Sequence, residues 1–162
     1  MYFKRFIMAI LAVLLLSSCG HREYVEQNSA LIVFKTPTFK YADMGFIYKG
    51  ASSTKVEIYS SGKSMMTLKI SKGSICMSLL KCLTAQGFNN QVLSHYYPKD
   101  TLWSIFRGKP IFGGLSLKRI RNGFTQNIDK DGEYNISYSV LYNETIFRDT
   151  INNILIKIKK VN

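Results

Sequence analysis

The sequence predicts a mainly β domain of the α+β class, an antiparallel sheet whose apolar face is covered by a helical insert. Three observations carry that expectation. Apolar and polar residues alternate with period two in Lys55–Tyr59, Glu133–Tyr142 and Asn153–Val161. Turn residues, Ser60-Ser61-Gly62-Lys63 and Asp131-Gly132, separate segments of that texture. Between the two β-rich halves the spacing becomes helical, and glycine and proline interrupt it.

The elements follow in order. Lys4 and Arg5 head an apolar run from Phe6 to Leu16, which closes on Leu16-Ser17-Ser18-Cys19. A basic head, a short apolar stretch and small residues before a cysteine make a secretory signal, too short for a permanent span. Leu-Ser-Ser-Cys resembles the lipobox of bacterial lipoproteins. That resemblance implies cleavage before Cys19 and diacylglycerol on its sulfur, the lipid being the sole non-protein group expected. Residues 1–18 are then the signal, 19–29 a polar tether, and 30–162 a single domain.

Within the domain, Ala30–Thr36 is an apolar run stopped by Pro37, and Met44–Lys49 and Thr54–Ser60 flank the turn at Gly50-Ala51-Ser52-Ser53. Alternation puts Val56 and Ile58 on one face, and Met66, Leu68 and Ile70 on one face of the next strand, Met65–Ile70. Ser74 to Gln86 reads as a helix, with Leu79, Leu80 and Leu83 at helical spacing, broken by Gly87. Pro98-Lys99-Asp100 starts a second helix, Leu102–Phe106, closed by Gly108 and Pro110. Phe124–Ile128, Glu133–Tyr142 and Asn153–Val161 complete the β texture. Tyr134, Ile136, Tyr138, Val140 and Tyr142 are expected to share one face, and Ile154, Ile156 and Ile158 another.

The chain of 162 residues carries a net charge of +12; loss of the 18-residue signal leaves 144 residues at +10, enough for one cored domain. The bases are spread along the chain, the densest groups being Lys118-Arg119-Arg121 and Lys157-Lys159-Lys160. They read as solvated surface with affinity for anionic head groups, and nucleic acid is not expected of an exported protein. Cys76 and Cys82, an even pair in an oxidising compartment, favour a disulfide over two buried thiols, provided that the chain between them is not regular helix. The two histidines, His21 and His95, belong to no cluster of metal-ligand spacing, and no nucleophile elbow, phosphate loop or catalytic carboxylate pair is found. Neither an enzyme nor a metal site is expected.

The spacing from Pro98 to Pro110, with Leu102 at the fourth place and Gly108 and Pro110 closing it, resembles the LolB family of outer-membrane lipoprotein receptors. The tryptophan is displaced, at Trp103 rather than at Ile105. The tyrosine-rich strand and the closing basic-aliphatic strand follow in the family's order. The resemblance implies a strongly curved, incomplete β-barrel lidded by helices on its concave face. Acyl chains of lipoproteins or lipids would bind in an apolar cavity, delivered by a LolA-type periplasmic carrier to a receptor anchored in the outer membrane. Phe46, Tyr48, Val56, Ile58, Met66, Leu68, Ile136, Tyr138, Val140 and Ile156 would line it from the strands. Leu80, Leu102, Trp103 and Phe106 would do so from the insert. Where the receptor carries an exposed leucine in the hairpin before its insert, this chain has Ser60-Ser61-Gly62. A filled core, a scaffold for protein partners and a binder of another amphiphile such as a glycolipid are the alternatives.

Overall fold

A computed structural model describes residues 24–78 and 80–161. The signal segment, Cys19 and the first part of the expected tether lie outside the described residues, as does the side chain of Leu80.

Among the described residues, eleven strands form one curved, unclosed antiparallel sheet. They are β1 Glu26–Lys35, β2 Lys40–Lys49, β3 Ser53–Ser60, β4 Lys63–Ser71, β5 Ser74–Met77, β6 Leu80–Thr84, β7 Leu117–Ile120, β8 Gly123–Lys130, β9 Tyr134–Leu141, β10 Glu144–Asp149 and β11 Ile154–Lys160. Between β6 and β7 run two helices, α1 Ala85–Val92 and α2 Thr101–Arg107. The strand order, β6-β5-β4-β3-β2-β1-β11-β10-β9-β8-β7, makes each half a meander of hairpins. The first and last strands join the halves at the centre, with Ile32 opposite Ile158 and Phe34 opposite Ile156.

Period-two alternation sets the faces. Ile32 and Phe34 of β1, Val56 and Ile58 of β3, Met66, Leu68 and Ile70 of β4, and Ile154, Ile156 and Ile158 of β11 are all buried on the concave side. α2 lies over them with Leu102, Ile105 and Phe106 buried and only the edge of Trp103 exposed. Gly108 ends α2 in the left-handed region at φ 63, the closing role expected of it.

Several expectations are corrected. Ser74–Met77 and Leu80–Thr84 are strands rather than a helix, and the helix starts only at Ala85. Cys76 and Cys82 are disulfide-bonded across this short hairpin, with Cα atoms 4.0 Å apart, which straight helix cannot provide. Gly87 lies inside α1 instead of ending it. Its N–H donates to the Thr84 cap hydroxyl at 3.0 Å, and a Cβ there would come within 2.9 Å of that oxygen. Residues 26–29 of the expected tether belong to β1, paired with residues 46–49 of β2. The short strands β7 and β10 were not expected.

One polar hub ties the insert to the sheet. Asp149, buried at the end of β10, accepts from the Tyr97 hydroxyl, from the Ile151 N–H at 2.9 Å, the Asn135 N–H at 3.1 Å and the Asn152 side-chain amide at 2.7 Å. Tyr97 also packs edge-on against Phe147 at 5.7 Å. Burial, reinforced by the Asp149 carboxylate, pushes the Tyr97 phenol far above its usual pKa, so it donates at any physiological pH.

Candidate functional site: the basic mouth of the half-barrel

The β2–β3, β4–β5, β7–β8 and β9–β10 turns, the start of β1 and the end of β11 all lie at one end of the sheet. α2 delivers its C-terminus there. Arg107, in the last turn, donates to the Gly50 carbonyl at 2.9 Å and lies 3.4 Å from both the Ser53 carbonyl and the Thr54 hydroxyl. A cation also suits the carbonyl end of a helix. The same guanidinium lies 4.9 Å from the Trp103 ring centre, and Lys109 and Lys72 lie 4.8 and 5.2 Å from it. Trp103 is 8% exposed and its indole N–H has no hydrogen-bond partner. Three cations thus surround the face of one aromatic ring, which attracts each of them weakly.

Two clefts open on either side of Arg107. One, of about 150 Å³, has an apolar floor of Ile47, Phe106, Val140 and Ile158 and a rim of Lys49, Arg107, Tyr142 and Lys160. The other, of about 430 Å³ and wide open, lies between Ala51-Ser52 and Ser71-Lys72-Gly73 with Trp103 at its base. Glu26 sits between Lys49 at 3.6 Å and Lys160 at 3.5 Å. Burial, with repulsion from Lys160, pulls the Lys49 ammonium below its ordinary pKa despite the opposing Glu26 charge. The hydrogen bond from the Asn28 amide, aided by the two lysines, holds Glu26 below the usual carboxylate range. The rim carries three basic side chains, Lys49, Arg107 and Lys160, around the apolar floor. It can attract an anionic head group while the floor takes apolar carbon.

Of the residues expected to line a cavity, Val56, Ile58, Met66, Leu68, Ile136, Tyr138 and Ile156 do face the concave side, and Leu102, Trp103 and Phe106 pack over them. They form one continuous core with the helices, so helical side chains occupy the space an acyl chain was expected to fill. Val140 is half-buried at the mouth. Phe46 and Tyr48 are corrected: Gly45 and Ile47 take the inward positions of β2, so these two aromatics stand on the outer face. There Phe46 packs edge-on against Tyr59 at 5.8 Å, and Tyr48 lies under Lys55 at 4.3 Å. Tyr142 is corrected too, since β9 ends at Leu141 and this tyrosine stands exposed in the following turn instead of on the strand's apolar face. Lys49, Arg107, Tyr142 and Lys160 were missed as rim residues. They are scattered in sequence, and no pattern short of the strand pairing brings them together.

Among the described residues no three His, Cys, Asp or Glu side chains are grouped to hold a metal, and no helix is long and apolar enough to cross a membrane. Fold and site define an open antiparallel half-barrel, plugged on its concave face by a helical insert and ringed with basic residues at one end. No family model matches the chain, and no curated protein matches it either.

Proposed function

We propose that this protein is a lipid-anchored envelope protein that takes up an acyl chain between the concave sheet and α2, as a LolB-like receptor would. The observation that carries the reading is the mouth cleft, an apolar floor at the C-terminal end of α2 that is rimmed by Lys49, Arg107 and Lys160. At about 150 Å³ it admits the end of a chain; deeper entry requires α2 to lift.

The magnitudes permit that exchange. Withdrawing Leu102, Trp103, Ile105 and Phe106 costs about 1.5–3 kcal/mol each, some 6–12 kcal/mol together. An acyl chain of about sixteen methylenes returns about 0.8 kcal/mol per methylene, near 13 kcal/mol. The insert is also the less satisfied part of the molecule, because the buried Asn89 Oδ1, Thr101 Oγ1 and Trp103 Nε1 have no hydrogen-bond partner. Each such group makes the closed state costlier to hold. Anchorage at Cys19 in the outer membrane, facing the periplasm, and delivery by a soluble LolA-type carrier complete the reading. The rim is equally suited to the anionic head group of another amphiphile.

Trp103 is the sole tryptophan of the chain and sits on the moving helix, so its emission reports on α2. The mature chain from Gly20 contains every described element and is to be recovered from the periplasm without detergent. Native mass spectrometry should then find bound lipid or acylated peptide, and a brominated fatty acid should quench Trp103 saturably. A clean apo mass with unchanged emission would sink the acyl-chain reading. It would leave the filled half-barrel as a scaffold for protein partners, which its closed concave face favours.

A further inference from the structure

We infer that the mouth end of the half-barrel is a membrane-docking face, which seats on an anionic bilayer with Tyr142 and Val25 entering the interface. The inference rests on the lipid-anchor reading for the tether and goes beyond it in saying which surface meets the lipid.

Geometry comes first. The described chain begins at Tyr24 at the mouth end, where the Val25 N–H donates to the Lys49 carbonyl at 3.0 Å. Cys19 is five residues earlier. Fully extended, five residues span about 18 Å, so an acyl group on Cys19 holds this end within that distance of the bilayer whatever path the chain takes.

The surface matches what it would meet. Lys49, Lys72, Arg107, Lys109, Arg121 and Lys160 surround the mouth against Glu26 and Glu144, an excess of four positive charges. Asp129, Asp131, Glu133 and Asp149 lie toward the opposite end, where they offset all but one of the charges of Lys35, Lys40, Lys63, Lys130 and Arg148. A basic face within a Debye length of anionic lipid is drawn to it.

Apolar side chains are exposed at the same end as well. Val25 and Tyr142, each 82% exposed, are the most exposed large apolar side chains among the described residues, and Val161 and Ile120 nearby are about half exposed. Tyr142 stands at the tip of the β9–β10 turn with φ 50, a left-handed conformation suited to glycine or asparagine and unfavourable for an aromatic. Its N–H donates to the Asn122 carbonyl at 3.1 Å, which fixes the tip. Its hydroxyl accepts from the Asn122 side-chain amide, and the ring is otherwise exposed and contributes nothing to the core. An amphipathic ring held there suits the head-group layer.

The test uses the unlipidated mature chain from Gly20 and vesicles of phosphatidylcholine with or without phosphatidylglycerol. Sedimentation should show binding to the anionic vesicles that weakens with salt. Tyr142→Asn should weaken it about tenfold while leaving the urea midpoint unchanged or raised, because asparagine relieves the turn. Lys72→Glu and Lys109→Glu should each weaken binding by at least about fivefold. Lys63→Glu, at the β3–β4 turn of the opposite end, changes net charge equally and should leave binding almost intact. Equal losses from Lys63→Glu and Lys72→Glu, or undiminished binding by Tyr142→Asn, would overturn the docking face. The mass of Cys19 in the exported protein separates the two readings. Acylated Cys19 without vesicle binding refutes docking alone, whereas vesicle binding with unmodified Cys19 refutes the anchor and leaves docking supported.

Discussion

Replacing Asp149 by alanine should be among the most damaging single changes in this domain. The carboxylate is 1% exposed and accepts from the Tyr97 hydroxyl, the Asn152 amide and the backbone N–H groups of Asn135 and Ile151. The turn N–H groups near the surface can turn to water, so their loss is partly recovered. The Tyr97 hydroxyl cannot, since Tyr97 is itself 1% exposed between Phe112 and Phe147. An orphaned buried donor costs about 1–3 kcal/mol, and each bond to a charged acceptor is worth about 1.5–3 kcal/mol. With the surface discount, Asp149→Ala should cost about 3–5 kcal/mol. Tyr97→Phe removes the donor and keeps the other bonds, for a loss of about 1–2 kcal/mol. Urea unfolding followed through Trp103, with the disulfide intact, measures both variants and their combination. The double-mutant cycle should give a coupling of about 1.5–3 kcal/mol. A coupling below about 0.5 kcal/mol would mean that the buried bond does not hold the insert to the sheet, and the reasoning fails.

Other outcomes follow from the same structure. Burial raises the phenol pKa of both Tyr97 and Tyr138, with Asp149 adding to the effect at Tyr97. A raised folded-state pKa gives stability that is full below the unfolded value of about 10 and falls as pH rises beyond it. Denaturation midpoints should therefore drop above about pH 10, less steeply in Tyr97→Phe. Reducing the Cys76–Cys82 disulfide, which spans a sequence separation of 6, should cost about 2 kcal/mol by loop entropy, read as a lower urea midpoint. Gln126, fully buried, accepts from the Ile111 N–H at 2.9 Å and donates to the carbonyls of Ile111 at 3.0 Å and Leu115 at 2.7 Å. Gln126→Leu strands those groups and should cost about 2–4 kcal/mol, with faster amide exchange confined first to residues 111–115.

How legible the fold was depended on the length scale of its signal. Alternation within Lys55–Tyr59, Met66–Ile70, Tyr134–Val140 and Ile154–Ile158 is a local property, and each of these strands buries the face expected. The helix at Thr101–Arg107 was equally readable, because proline, aspartate and glycine mark its ends. Ser74–Thr84 misled, since leucines at helical spacing compete there with a pairing onto β4 and with a disulfide that only the folded hairpin allows. Phe46 and Tyr48 misled for a related reason. Aromatic residues in a strand look like core, yet Gly45 and Ile47 decide the facing of β2, and which set points inward depends on pairing with β1 and β3.

By itself the sequence determined the β class, the sheet faces of most strands, the place of the covering helix and the cysteine pair, all set by neighbours within a few residues. The tertiary structure alone decided that the concave face is filled by the insert. It also decided that Lys49, Lys72, Arg107, Tyr142 and Lys160 meet at one mouth. Those five are separated by up to 111 positions and share no motif. Their proximity is created by strand order, which arises from the packing of the whole sheet rather than from any one segment of it.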